Sequence, residues 1–166
     1  MLSQYLKQCL LIIQPEQVEG MDFFHDLHAL TAGLMVEKKV ISSNREVVEF
    51  WKSKNYNSEH LNVDDDSALW DDVFRAAFDE GWRKVILLRS APEGLTEKHL
   101  EEAFLSIRIL EICLGPAKNG GIYLLGFPQY RPELLKNSTL ERNPAWKTLQ
   151  KSAGNEKAAM YKLPLL

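Results

Sequence analysis

The sequence predicts one three-layer α/β/α domain, spanning residues 1–166, with a mostly parallel sheet covered by helices on both faces. A length of 166 residues suits a single domain with a sizeable core. Two near-continuous apolar runs, Cys9–Ile13 and Lys84–Leu88, are typical of strands that are buried on both faces. Segments with helical spacing separate the predicted strands, which favours parallel pairing. We therefore expect both runs to be inner strands of the sheet.

Three longer helices are predicted between the strands. Apolar residues recur at helical spacing over Met21–Gly33. A second helix is predicted over Ser67–Gly81, where Asp66 or Ser67 can cap the start and the glycine ends it. A third helix is expected to begin at Thr96 and to run to about Glu111.

The remaining predicted elements are short. Val40 and Ile41 indicate a strand, and Ile112–Leu114 and Ile122–Phe127 indicate two strands on either side of a glycine-rich turn. The polar segment 56–66 is predicted to be turn-rich. Short helices and a last edge strand complete the pattern, at Arg45–Lys54, Arg131–Lys136, Ala145–Ser152 and Tyr161–Leu165.

The charge and the apolar pattern limit the classes of partner. A formal net charge of −3 disfavours a nucleic-acid partner, although a few local charges could still hold a small phosphorylated ligand. The N-terminal region has one lysine and only a short apolar run, so it predicts neither a signal peptide nor a membrane span. A cytoplasmic location is therefore expected.

The cysteines and histidines do not indicate a metal or redox site. Cys9 and Cys113 each lie within an apolar run, which favours two buried free thiols over a disulfide. His25 and His28 are three residues apart on a predicted helix, a spacing that metal ligands use. Since no cysteine or further histidine lies nearby in sequence, a partly exposed helix face is the favoured interpretation.

Two loops are expected at the ligand-binding edge of the sheet. In open α/β sheets, ligands bind beyond the carboxyl ends of the strands. The segment Arg89–Thr96 follows the strand that ends at Leu88, and Gly115–Gly121 lies between two predicted strands. Both loops should therefore open at the same end of the sheet, and a bound ligand should lie between Arg89–Gly94 and Gly115–Gly121.

These loops carry a family resemblance. The chain reads Ser-Ala-Pro-Glu-Gly-Leu-Thr over residues 90–96 and Leu-Gly-Pro-Ala-Lys-Asn-Gly-Gly-Ile-Tyr-Leu-Leu-Gly over residues 114–126, and Arg131–Leu135 continues the match. It resembles a bacterial family of nucleotide-diphospho-sugar transferase-like proteins, mostly uncharacterised, whose members carry Ser-Asp-x-Pro-Gly-Leu-Thr and Leu-Gly-Pro-Ala-Glu-Asp-Gly-Gly-Tyr-Tyr-Leu-Ile-Gly. The resemblance extends from about Ala68 to Leu135. It implies a glycosyltransferase-A-type, Rossmann-like fold and a nucleotide, sugar nucleotide or other phosphorylated small molecule as the ligand.

The chain departs from the family at its acidic positions. Ala91 stands where the family has the aspartate expected to bind a metal, and Lys118 and Asn119 replace the acidic pair before the two glycines. The segment 14–20 has no basic residue, whereas the family has a Gly…Lys-Thr-Arg loop there. Since Mg²⁺ or Mn²⁺ needs carboxylate oxygens, we expect no bound metal, no cofactor and no metal-dependent catalysis.

Residues of the two loops are nevertheless candidates for ligand binding. Arg89 and Lys118 could bind a phosphate in place of the cation, although solvated loop residues are the favoured interpretation of both. The Asp-x-Asp pattern within Asp64–Asp66 is more simply explained as an acidic run at a helix N-terminus than as a metal site. Catalytic residues are not identified. The ligand-binding candidates are Arg89, Ser90, Glu93, Gly94, Lys118, Asn119, Gly120, Gly121 and Tyr123.

The sequence leaves three functions open. The favoured one is a pseudoenzyme, a transferase-like domain that has lost metal-dependent catalysis and binds a ligand or a partner. The second is an active glycosyl- or nucleotidyl-transferase that uses a sugar nucleotide. The third is a purely structural module that forms a homo-oligomer.

Overall fold

The computed structural model describes residues 7–14, 20–61, 66–136, 140 and 143–166. Within them lies a seven-stranded sheet whose strands are ordered β3-β2-β1-β4-β6-β5-β7. The strands are β1 Gln8–Gln14, β2 Glu37–Ser42, β3 Asn57–His60, β4 Lys84–Leu88, β5 Ile112–Pro116, β6 Ile122–Phe127 and β7 Met160–Lys162. The helices are α1 Gly20–Ala32, α2 Arg45–Ser53, α3 Asp66–Asp79, α4 Glu97–Ser106 and α5 Ala145–Asn155, with a 3₁₀ turn at Pro132–Leu134.

Six of these strands run in one direction, and β6 runs against them. β1 pairs in parallel with both β2 and β4, so that Ile12 lies between Val40 and Leu88. β6 pairs antiparallel with β4 and β5, and β7 pairs in parallel with β5. The predicted fold class and the inner positions of β1 and β4 are therefore confirmed.

Each face of the sheet has its own apolar core. One core holds the odd-numbered residues of β1, such as Leu11, together with residues of α3 and α5. Phe74 packs edge-on against Phe127 there, with ring centroids 5.1 Å apart. The other core holds Leu10 and Ile12 together with residues of α1, α2 and α4. Full burial of one such large side chain stabilises the fold by about 1.5–3 kcal/mol.

Two sequence-based boundaries are wrong. The segment 56–66, expected to be turn-rich, contains the strand β3. β3 is polar and mostly exposed because it lies at the sheet edge and pairs only with β2, so it lacks the apolar pattern of an inner strand. The third helix ends at Ser106 rather than near Glu111, since Glu111 and Ile112 donate their N–H groups to the Ala159 carbonyl instead of continuing the helix.

Other predictions from the sequence agree with the structure. Gly81 follows α3 with a φ of +99°, as a helix-terminating glycine does. Thr96, at the predicted start of the third helix, caps α4 in a reciprocal arrangement with His99. Cys9 and Cys113 are buried free thiols, and burial raises the pKa of each to about 12.

Candidate functional site

Both candidate loops lie at the carboxyl edge of the sheet. The parallel strands β2, β1, β4 and β5 all end at this edge, and the antiparallel strand β6 begins there. The loop 89–96 leaves from β4, and the turn 117–121 joins β5 to β6. The Arg89 N–H donates to the Tyr123 carbonyl at 2.9 Å, which ties the start of the loop to β6.

The loop 89–96 combines an exposed rim with an apolar base. Ser90, Glu93 and Gly94 are exposed, whereas Ala91 and Leu95 pack against the core on the α1 face. The Ala91 methyl is thus part of the apolar packing, at the position where the family resemblance expects a metal-binding carboxylate.

Arg89 is held at the start of this loop. Its guanidinium lies over the ring of buried Trp70, 5.5 Å from the centroid. A cation over an aromatic face is stabilised by about 0.5–2 kcal/mol, so Arg89 is positioned rather than freely solvated. This positive charge lies directly after β4, at the carboxyl edge of the sheet.

The turn 117–121 satisfies its own hydrogen bonds. The Gly120 N–H donates to the Ala117 carbonyl at 3.0 Å, and the Gly121 N–H donates to the Asn119 side-chain oxygen at 2.9 Å. The N–H groups of both glycines, which are ligand-binding candidates from the sequence, are therefore engaged within the turn. The Lys118 side chain is exposed.

Tyr123 points into the core rather than toward a ligand. Its side chain is fully buried, and its hydroxyl donates to the Pro164 carbonyl at 3.0 Å. Burial raises the pKa of this phenol. Tyr123, a ligand-binding candidate from the sequence, is thus a core residue.

The segment Leu163–Leu166 covers the space between the loop and the turn. The Leu166 N–H donates to the Pro116 carbonyl at 3.2 Å, and the Leu166 carbonyl accepts from the Lys118 N–H at 2.7 Å. A Cβ built on Gly94 would lie 3.3 Å from Leu166 Cδ2, so this side chain reaches the opposite loop. The interval expected to hold a ligand is thus lined in part by an apolar side chain of the same chain.

A cleft of about 380 Å³ lies between α1 and the loop after β4. It is lined by Asp26, Leu27 and Leu30 of α1 and by residues Ala91–Leu95. Of the predicted ligand-binding residues, only Glu93 and Gly94 are in this lining, and the others lie outside it: Arg89, Ser90, Lys118, Asn119, Gly120, Gly121 and Tyr123. Ligand binding by these residues stays a prediction.

The carboxyl end of β1 places one further polar group at this edge. Gln14 is 2% exposed and lies in register with buried Ser42 of β2. Its side-chain oxygen has no hydrogen-bond partner within the structure described. Gln14 was not among the residues predicted from the sequence, although a glutamine that ends an apolar strand is a visible signal. The covering by Leu163–Leu166 was not predicted either.

A second cleft of about 390 Å³ lies between α3 and the strands β1–β3. Lys39, in its lining, forms ion pairs with Glu59 at 2.9 Å and Glu80 at 3.3 Å. These interactions satisfy the lysine within the fold.

Metal-binding groups are sparse in the part of the chain that the structure describes. No group of three or more His, Cys, Asp or Glu side chains there could hold an ion. His28 packs against Trp51 and Tyr56, with ring centroids 6.1 and 5.5 Å away, and burial lowers its pKa. Asp64 and Asp65 lie outside the described residues. Among the described helices, none is long and apolar enough to cross a membrane.

Comparison with known families and structures confirms the resemblance. Residues 63–140 match a family described as an uncharacterized protein conserved in bacteria (DUF2064). A protein from Desulfovibrio desulfuricans G20, provisionally assigned as a nucleotide-diphospho-sugar transferase, is 17% identical with a TM-score of 0.81, covering 96% of this chain and 80% of its own. No curated protein matches the chain.

Two more distant structures share the fold. A CMP:2-keto-3-deoxy-manno-octonic acid synthetase in complex with CTP is 12% identical with a TM-score of 0.61, covering 96% of this chain and 92% of its own. A Mycobacterium tuberculosis H37Rv protein in complex with manganese is 10% identical with a TM-score of 0.53, covering 95% and 87%. At these identities the likeness establishes a nucleotide-sugar-transferase-like fold.

Proposed function

We propose that this chain, which carries the DUF2064 sequence pattern on a transferase-like fold, binds a nucleotide or sugar nucleotide at the carboxyl edge of its sheet without metal-dependent transfer. The observation that carries the proposal is the environment of the Ala91 side chain. Its methyl packs into the core beside a cleft at that edge, so the position supplies no ligand for a cation.

Two cations outside the cleft support a metal-free mode of binding, because the charged residues of the cleft lining itself, Asp26 and Glu93, are acidic and the phosphates would have to lie beyond it. A pyrophosphate needs nearby positive charge, and enzymes of this fold usually provide it with Mg²⁺ or Mn²⁺. Here Arg89 is positioned over Trp70, and Lys118 extends from the turn. Guanidinium and ammonium groups bind phosphate oxygens by charge-assisted hydrogen bonds, which can replace the cation in binding.

The ligand class is supported by the fold and by a solved example. The synthetase with the same fold was solved with CTP, and this chain covers 92% of its length. Ligands of open α/β sheets lie beyond the carboxyl ends of the strands, where the cleft of about 380 Å³ is found. A cleft of this size suits part of a nucleotide.

The first test is a thermal-shift titration with CTP and with UDP-glucose, each in EDTA and in Mn²⁺. A ligand at a hundred times its Kd should stabilise the protein by about 2.7 kcal/mol. We expect the same stabilisation in EDTA and in Mn²⁺, and only background release of pyrophosphate from CTP or of UDP from UDP-glucose. Stabilisation that requires Mn²⁺, or none by either compound, contradicts the proposal.

A charge-reversal pair tests the role of the turn. Lys118→Glu should weaken the binding of CTP while leaving the free energy of unfolding within about 0.5 kcal/mol, as is usual for a surface change. Lys151→Glu, at an exposed position on α5, makes the same change of net charge and serves as the control. Equal affinity for CTP in the two variants would show that Lys118 is not part of the binding site.

A further inference from the structure

The strand β1 has a buried glutamine at each end. Gln8 is 5% exposed and Gln14 is 2% exposed. Within the described structure each has one side-chain polar atom without a hydrogen-bond partner, Nε2 of Gln8 and Oε1 of Gln14. A buried polar group without a partner destabilises the free protein, so each needs an explanation.

The two glutamines lie in different surroundings. Both side chains point to the face of the sheet that also holds Leu10 and Ile12, since alternate residues of a strand share a face. Gln8 lies at the amino end of β1, where it is paired with Lys84 at the start of β4. Gln14 lies at the carboxyl end, where ligands of such sheets bind.

Neutral polar side chains accompany Gln14 at this edge. Its partner in β2 is Ser42, whose hydroxyl already accepts from the Asn44 N–H at 3.1 Å. Ile12 of β1 pairs with Leu88 of β4. Gln14 follows Ile12 by two residues and Ser90 follows Leu88 by two residues, so the two residues have equivalent positions along their segments. The face on which Gln14 lies also packs Leu27, Leu30 and Ala91, which line the cleft of about 380 Å³.

An amide oxygen in such a position selects for a neutral hydrogen-bond donor. It accepts N–H and O–H groups and repels the oxygens of a phosphate. Sites built to pair with a donor reject analogues that lack it far more strongly than apolar pockets reject a missing methylene, because the buried group is then left unpaired. The cost that Gln14 imposes on the free protein is recovered when a donor is bound.

We infer that Gln14 is a specificity-determining residue, whose Oε1 accepts a hydrogen bond from a neutral N–H or O–H group of the bound nucleotide. The inference rests on the proposed function. The donor is either an amino group of the base or a hydroxyl group of the sugar, and in both cases Gln14 recognises a part of the ligand that carries no charge.

The test compares wild type, Gln14→Met and Gln8→Met by calorimetric titration with CTP. Methionine has a similar volume and no polar atom, so both variants should be at least as stable as wild type when free. Gln14→Met should bind CTP about tenfold or more weakly, which is the usual effect of removing the acceptor of one buried hydrogen bond, whereas Gln8→Met should bind as wild type does. Inorganic tripolyphosphate, which has no such donor, should bind all three proteins equally.

Two analogues identify the donor. If a sugar hydroxyl is recognised, 2′,3′-dideoxy-CTP should bind wild type as weakly as CTP binds Gln14→Met. If the base is recognised, the triphosphate of the 4-deamino analogue of cytidine should do so instead. A full effect of Gln14→Met on CTP with no effect of either analogue would overturn the assignment of the contact.

The outcomes separate the two proposals. Absence of CTP binding to wild type overturns the proposed function for this nucleotide, and the role of Gln14 falls with it. Equal CTP affinity in wild type and Gln14→Met overturns the inference and leaves the proposed function standing. Equal weakening by Gln8→Met and Gln14→Met would also overturn it, since both changes would then act through the core.

Discussion

The two segments at the carboxyl edge differ in how they use their hydrogen bonds. The turn 117–121 carries the longest stretch of family resemblance, yet its glycine N–H groups are engaged within the turn and Leu166 lies against it. The loop 89–96 carries a shorter stretch, yet it has an exposed rim and lines a cleft. A long sequence match can therefore reflect the needs of a tight connection, while the cleft at which we propose ligand binding lies beside a less distinctive segment.

The largest expected change in the free energy of unfolding concerns the segment 163–166, which packs against the turn. Leu163 is 2% exposed, and its N–H donates to the Leu114 carbonyl at 2.8 Å. Leu163→Ala should lower the free energy of unfolding by about 2–5 kcal/mol, as buried leucine truncations do. Leu165→Ala, at a side chain that is 48% exposed, should change it by less than about 0.5 kcal/mol. Similar values for both variants in urea denaturation would show that the segment is not packed as described.

A smaller effect is expected at Gly120, which the turn needs for two reasons. Its φ is +92°, and a Cβ there would clash with the Asn143 side chain. Gly81 has a φ of +99° but open space around the same position. Gly81→Ala should cost about 1–2 kcal/mol through the backbone alone.

Gly120→Ala should cost at least about 1 kcal/mol more than Gly81→Ala, because overpacking adds to the backbone strain. Guanidinium unfolding of the two variants gives the difference directly. A Gly120→Ala variant as stable as Gly81→Ala would mean that the turn has room to move, and its glycines would then be candidates for ligand contacts again.

The smallest effect concerns α1, which forms one wall of the cleft. Burial lowers the pKa of His28 below its ordinary value of 6.5, and the nearby Lys54, Lys38 and His25 act in the same direction. A lowered pKa means that the unfolded chain binds the proton more readily, so stability should fall as the pH drops below about 6.5. The decrease in Tm between pH 7.5 and pH 5.5 should be smaller in His28→Gln. An identical decrease in both proteins would assign the effect to other groups.

The sequence predicted the position of a strand where the whole strand is buried, because burial requires apolar residues along its length. Cys9–Ile13 and Lys84–Leu88 are apolar along their length because each has a neighbouring strand on both sides and helices on both faces, and that pattern predicted their inner positions. The edge strand β3 was missed because one side of it has no neighbour and three of its four side chains are exposed, which leaves no apolar pattern.

The sequence predicted where the two loops lie but not the contacts made within them. The positions of the loops follow from the order of strands and helices, whereas the donors within them depend on contacts between distant residues. The sequence does not reveal that the Gly121 N–H donates to the Asn119 side chain or that the Tyr123 hydroxyl donates to the Pro164 carbonyl. Nor does it reveal that Gln14 Oε1 has no hydrogen-bond partner within the described structure.

The two borders of the sheet bear on how copies of this protein can associate. β3 exposes Glu59 and His60 along its open side, and β7 is three residues long and ends at exposed Lys162. Charged side chains and short lengths at the outermost strands discourage another chain from adding a strand by backbone pairing. Among the residues that the structure describes, the edge strands therefore disfavour association by extension of the sheet, and contacts between helices or loops are the alternative for a homo-oligomer.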